Sequence, residues 1–174
     1  MSTIVTVPSE ILRRPAQRVA SVDSRVLQIL KDMEDALLKA KDPQGVGLAA
    51  PQIGELLRIF MIRPDPKGEI STFINPEIIK FSQRLSNPTG KKGVYEGCLS
   101  LPHHYAPVKR STSVTVKYQQ PELSTKTAVF SGFPAHIIQH EIDHLNGILF
   151  IDRVLEQNAK LYKLDGKEWV EISL

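Results

Sequence analysis

The five residues His140-Glu141-Ile142-Asp143-His144 constrain this chain more than any other stretch of it. On an α-helix, residues four apart share a face, so the two imidazoles can reach one metal ion. Glu141, one step on from the first histidine, can then reach a water beside that ion. The flanking Ile137, Ile138, Ile142 and Leu145 read as the buried side of such a helix. Two buried histidines and a carboxylate without a partner would be costly, which favours a bound cation over a surface charge cluster. The helix is expected to open at Gly132-Phe133-Pro134, where proline suits the first turn, and to stop at Asn146-Gly147.

Two histidines leave a catalytic ion short of the three protein ligands it usually takes. One zinc-protease pattern needs a third histidine six residues past the second, and Phe150 stands there instead. Glu168 and Glu171 fall in an expected hairpin, where solvent-facing charge is their ordinary role. His103, His104 and His136 also compete, His136 lying one helical turn before His140. Cys98 ranks above all of these. A thiolate is a strong ligand for first-row metals, and a lone cysteine in a reducing compartment has no disulfide role. Its setting, Tyr95-Glu96-Gly97-Cys98-Leu99-Ser100-Leu101-Pro102, suits a strand end held at a site. A Cys-His-His set leaves one open position for water, whose pKa the ion lowers toward neutrality.

A chain of 174 residues is expected to form a single catalytic domain, 1–174, with one real core. No apolar run approaches the roughly 18 residues that cross a bilayer, and the first residues lack the apolar stretch of a signal peptide. No membrane partner is therefore expected, and the single cysteine points to the reduced cytoplasm. The net charge of +3 is spread in short doublets such as Arg13-Arg14 and Lys91-Lys92, and aromatic residues make up only 6%. Direct sequence-specific nucleic-acid binding, which uses concentrated basic stripes and stacking rings, is not expected.

Residues 24–41 form the clearest amphipathic helix, with Val26, Ile29, Leu30, Met33, Leu37 and Leu38 at three- and four-residue spacing. Asp23 suits its N-cap and Asp42-Pro43 its stop. Strand-like runs follow at Leu57–Ile62, Ile70–Ile74, Ile78–Phe81, Ser113–Tyr118 and Thr127–Phe130. The tail, Leu161–Ile172, reads as a hairpin with a type I′ turn at Asp165-Gly166. The expectation is an α+β fold: short, mostly antiparallel strands around a central H-E-x-x-H helix, with an N-terminal amphipathic helix and a C-terminal hairpin.

Three motifs, in order, resemble those of the peptide deformylases: Gly45-Val46-Gly47-Leu48-Ala49-Ala50-Pro51-Gln52, Glu96-Gly97-Cys98-Leu99-Ser100, and the run from Gln139 to Gly147. The resemblance implies that Cys98, His140 and His144 bind the metal and that Glu141 is the general acid–base. It further implies that Gln52 and the Leu99 backbone N–H bind the oxyanion. The implied activity removes the N-formyl group from newly made peptides beginning with formylmethionine, releasing formate. One divalent ion is implied, Fe2+ in the cell, with Zn2+, Ni2+ or Co2+ also suited to the donors. Nascent N-formylmethionyl peptides are the implied partners, which places the protein transiently near the ribosome. The tail departs from family members that end in a long helix, so their ribosome docking is not carried over.

The residues themselves extend this reading. Gly47 has no side chain to obstruct an extended peptide, so strand-like pairing is expected there. Helical spacing puts Phe133, His136 and Ile137 on the side of His140 and His144, where they are expected to wall a methionine pocket with Val46 opposite.

Overall fold

Ile59-Phe60-Met61-Ile62 is apolar at every position, and a strand with four buried residues needs a partner on both faces. A computed structural model, describing residues 3–41, 43–91 and 93–173, supplies both. This strand, β2 (Ile59–Ile62), lies between β1 (Gly47–Ala49) and β3 (Ser71–Phe81). With β6 (Ser113–Gln119) and β7 (Thr125–Ser131) they form an antiparallel sheet in the order β1-β2-β3-β6-β7. Ile59 and Met61 pack with helix α1 (Ser24–Lys39) on one face. Phe60 and Ile62 pack with helix α2 (Phe133–Leu145) on the other. Side-chain alternation with period two thus makes one short strand the shared floor of two cores.

Helix α1 starts where expected: the Asp23 side chain accepts a hydrogen bond from the Val26 N–H at 2.9 Å. It ends at Lys39, earlier than the expected 41, and Asp42, the expected stop, lies outside the described residues. Leu38 is 42% exposed, while Ala36 takes a place in the buried stripe. The buried arc is centred on Met33 and Leu37, so position 38 falls past its edge.

The runs expected at Ile70–Ile74 and Ile78–Phe81 are one strand, β3, despite Asn75-Pro76 between them. Asn75 adopts a φ of 50° at a register shift, a conformation asparagine tolerates better than most residues. Its side-chain amide bonds the Val19 backbone in both directions at 2.8 Å, while its backbone N–H donates to the Arg58 carbonyl at 2.8 Å. Proline, lacking an N–H, sits where the ladder is already broken.

A second antiparallel sheet has the order β4-β5-β8-β9. Its strands are β4 (Glu96–Cys98), β5 (Leu101–Ala106), β8 (Leu161–Asp165) and β9 (Glu168–Ile172). Helix α3 (Phe150–Glu156) packs beneath it, Phe150 and Val154 meeting Cys98, Ala106 and Leu161. Strand β5 and the start of α3 were not expected from the sequence. The tail hairpin is present, but Asp165 pairs with Glu168, so Gly166 and Lys167 form the turn. Positive φ falls on Gly166 and not on Asp165 or Lys167, which excludes the expected type I′ turn.

Candidate metal centre

Helix α2 is entered through Gly132, at a φ of 66°, and left through Asn146 and Gly147, at a φ of 74° for the glycine. Between these ends every residue from Ile137 to Leu145 is buried. The helix therefore carries His140, Glu141 and His144 into the interior. Cys98 meets them from the end of β4. Its Sγ lies 3.2 Å from His144 Nε2, which lies 3.2 Å from His140 Nε2. All three donor atoms lie within 4.8 Å of one another, and among the described residues they form a group able to hold one metal ion. Tetrahedral bonds of about 2.3 Å to sulfur and about 2.0–2.1 Å to nitrogen set donor atoms about 3.4–3.6 Å apart. The donors fit such an ion.

Burial pushes both imidazoles toward the neutral form, but Glu96 and Cys98 outweigh it at His140 and hold its pKa well above the ordinary value. Burial and the neighbouring His140 push His144 well below it.

Glu96 sets the direction of His140. Its Oε1 accepts from His140 Nδ1 at 2.8 Å, which leaves Nε2 bare toward the cluster. Arg110 donates to both oxygens of Glu96, at 2.9 Å from Nε and 2.7 Å from Nη2. Burial alone would raise the Glu96 pKa, yet Arg110 and His140 hold it well below the carboxylate range. Arg110 also donates to Asp143 at 2.6 Å, and Arg153 holds Asp143 from the surface side at 2.6 Å and 3.0 Å. Glu96 and Asp143 belonged to recognised motifs, without a role. Arg110 follows Lys109 at the start of a polar stretch and carries no sequence signal.

The remaining expected residues surround one cavity of about 240 Å³. Val46, Gly47, Gln52, Leu99, Phe133, His136, Ile137, His140 and Glu141 all line it. Glu141 is buried, and burial raises its pKa to about 7. Its Oε2 has no hydrogen-bond partner among the described residues. A Cβ on Gly47 would run into the Glu141 carboxylate and lie 2.7 Å from Ile137 Cγ2, so only glycine fits at this strand. The Gln52 carbonyl accepts from the Ala49 N–H at 2.8 Å, which turns its Nε2 toward Ser100 Oγ at 3.2 Å and Cys98 Sγ at 3.7 Å. His136, weighed as a metal ligand, instead places Nε2 2.8 Å from Glu96 Oε2. Glu168 and Glu171 are exposed on the tail hairpin, away from the group. Tyr95 and Tyr105 also line the cavity, and nothing in their spacing marked them.

A cation that activates water, with a carboxylate at its side, is the equipment of a metallohydrolase, and this fold and cavity define that class. The chain belongs to the polypeptide deformylase family, whose model matches residues 1–160 and leaves the β8–β9 hairpin outside the match. It is 40% identical over 174 residues to the peptide deformylase of Thermomicrobium roseum, covering 95% of this chain and 93% of that one. The crystal structure of peptide deformylase from Thermotoga maritima superposes with a TM-score of 0.78 at 33% identity, over 88% of this chain and 97% of that one. A Met-Ala-Ser-bound class I type b peptide deformylase from Acinetobacter baumannii gives 0.76 at 35% identity, over 88% and 99%. No helix among the described residues is long and apolar enough to cross a membrane.

Proposed function

We propose that residues 1–174 act as one catalytic domain that hydrolyses the N-formyl group of peptides beginning with formylmethionine, with Cys98, His140 and His144 holding the ion. When bound, the ion supplies Lewis acidity and lowers the pKa of water. Glu141 takes a proton from the water that attacks the formyl carbon. It returns that proton to the departing amine as the carbon–nitrogen bond breaks, giving formate and a free N-terminus. The Gln52 amide and the Leu99 backbone N–H donate to the formyl oxygen as it gains charge, donors of a kind worth about 2.7–4 kcal/mol each.

The reading is carried by one observation: three donor atoms within 4.8 Å of one another, beside a cavity that also exposes Glu141 and Gln52. The cavity supports the specificity. Phe133, His136 and Ile137 form one wall and Val46 another, an apolar slot suited to a methionine side chain. Strands β1 and β4 are edge strands of their two sheets, and Gly47 and Gly97 keep both edges open to an extended peptide.

Fe2+ is the proposed ion in the cell: thiolate and imidazole accept both Fe2+ and Zn2+, the latter more tightly, so availability in the cell decides. The substrate places the protein in the cytoplasm, transiently near the ribosome. The test is formate release from formyl-Met-Ala-Ser by protein prepared without oxygen, with metal measured on the same sample. Formate and Met-Ala-Ser in equal amounts, with one ion per chain, are expected. A fully metallated protein that releases no formate overturns the reading.

A further inference from the structure

We propose that the tail hairpin supplies a second specificity subsite, an aromatic shelf of Tyr95, Tyr105 and Trp169 that receives the side chain following methionine; this rests on the peptide-hydrolysing reading above. The hairpin joins the site through β8, which pairs Tyr162 with Tyr105 of β5. Alternation then sorts its residues. Leu161 and Ile172 turn inward to the cluster that contains Cys98, while Tyr162 and Trp169 occupy the opposite face. On that face the Trp169 ring lies 5.1 Å from Tyr105 and 5.5 Å from Tyr95, centroid to centroid. Tyr162 closes the group from behind, 6.1 Å from Trp169 and 5.8 Å from Tyr95.

Two of these rings already belong to the cavity: Tyr95 and Tyr105 both line it. The Tyr105 ring lies directly over Gly97, where a Cβ would come within 2.7 Å of Cε1. The shelf is therefore continuous with the open edge of β4, one residue from Cys98. Trp169 nevertheless leaves 50% of its surface exposed. Folding alone does not require a half-exposed indole here, because Leu161 and Ile172 already anchor the hairpin.

The register identifies the occupant. An extended chain sends successive side chains to opposite faces. A first side chain among Phe133, His136 and Ile137 lies on the α2 side of β4. The second then faces the side that carries Gly97, Tyr105 and Trp169. An aromatic or large apolar residue there gains ring contacts that alanine cannot make.

The test compares formyl-Met-Phe-Ser with formyl-Met-Ala-Ser on the metal-loaded protein. The phenylalanine peptide is expected to show the higher kcat/KM, by about two- to tenfold, mainly through KM. Trp169→Ala should remove the preference and Trp169→Phe should retain part of it. Trp169 is the single tryptophan of the chain, so its fluorescence reports on the shelf without any turnover. Emission should change on titration with Met-Phe-Ser, binding being confirmed by equilibrium dialysis. Equal kcat/KM for the two peptides, a preference that survives Trp169→Ala, or emission indifferent to bound Met-Phe-Ser overturns the proposal. Absence of formate from both peptides would instead remove the hydrolytic reading, and the fluorescence titration would still decide the shelf.

Discussion

Arg110 grips Glu96 with a two-pronged contact, Nε to Oε2 at 2.9 Å and Nη2 to Oε1 at 2.7 Å, and both side chains are almost wholly shielded from water. A third donor of the same guanidinium reaches Asp143 on α2 at 2.6 Å. One cation therefore ties strand β4, which carries Cys98, to the helix that carries both histidines.

Arg110→Met should destabilise the protein by about 3–5 kcal/mol, because it leaves Glu96 buried without its main countercharge. Arg153 still serves Asp143, so the loss falls chiefly on Glu96. Urea denaturation of the metal-free protein measures it; a change below about 1 kcal/mol would show that the pair is not coupled to folding. Arg110→Lys should recover little, since an ammonium cannot make the two-pronged contact.

Glu96→Gln addresses the ion rather than the fold. The carboxylate accepts the Nδ1 proton of His140 and so keeps Nε2 available as a donor. With the charge removed, metal affinity should fall about 10–100-fold, the usual effect of losing such a supporting partner. Competition with a chelator measures the change, and circular dichroism checks that the fold is kept. Unaltered affinity would mean that helix packing alone orients the imidazole.

The contrast between these residues and the motif shows what local sequence can carry. His140 and His144 are legible because helical spacing places them together without reference to anything else. Cys98 lies 46 positions from His144, and its pairing with them came from ligand chemistry and motif order, not from periodicity. Helix α1 was legible from its stripe and its Asp23 cap. Strand β5 was not: Pro102 and the consecutive histidines 103 and 104 break any two-residue alternation, and its partners are β4 and the distant β8. Asn75-Pro76 read as a break because the partner that fixes the Asn75 side chain, Val19, is far away in sequence. Arg110 and the aromatic shelf stayed hidden for the same reason. Their meaning lies in contacts between elements.

Gly47→Ala tests the narrowest point of the site. A methyl group there meets the Glu141 carboxylate and Ile137, and the β1 backbone, paired to β2 at Ile62, has little freedom to withdraw. Glu141 must move instead. A displacement near 1 Å at the reacting groups can cost about 10²-fold in rate. Formate release should therefore drop by that order while metal content stays at one ion per chain. Loss of metal along with activity would place the damage in the ligand cluster instead.

Cys98→Ala and Glu141→Gln separate holding the ion from moving the proton. Cys98 contributes one of three donors, and its removal leaves two imidazoles, fewer than a catalytic ion takes. Metal and activity should disappear together. An enzyme that used Glu168 or Glu171 as its third ligand would keep both, but those carboxylates are exposed on the hairpin. Glu141 is no member of the donor group, and its Oε2 has no hydrogen-bond partner among the described residues. Glu141→Gln preserves the shape of the side chain and leaves that oxygen's surroundings among the described residues unchanged, so metal content should match the unaltered protein. Without a group able to accept and return a proton, kcat should fall about 10²–10⁴-fold. Formate release within a few-fold of the unaltered protein, with metal retained, would assign the proton transfer to another residue.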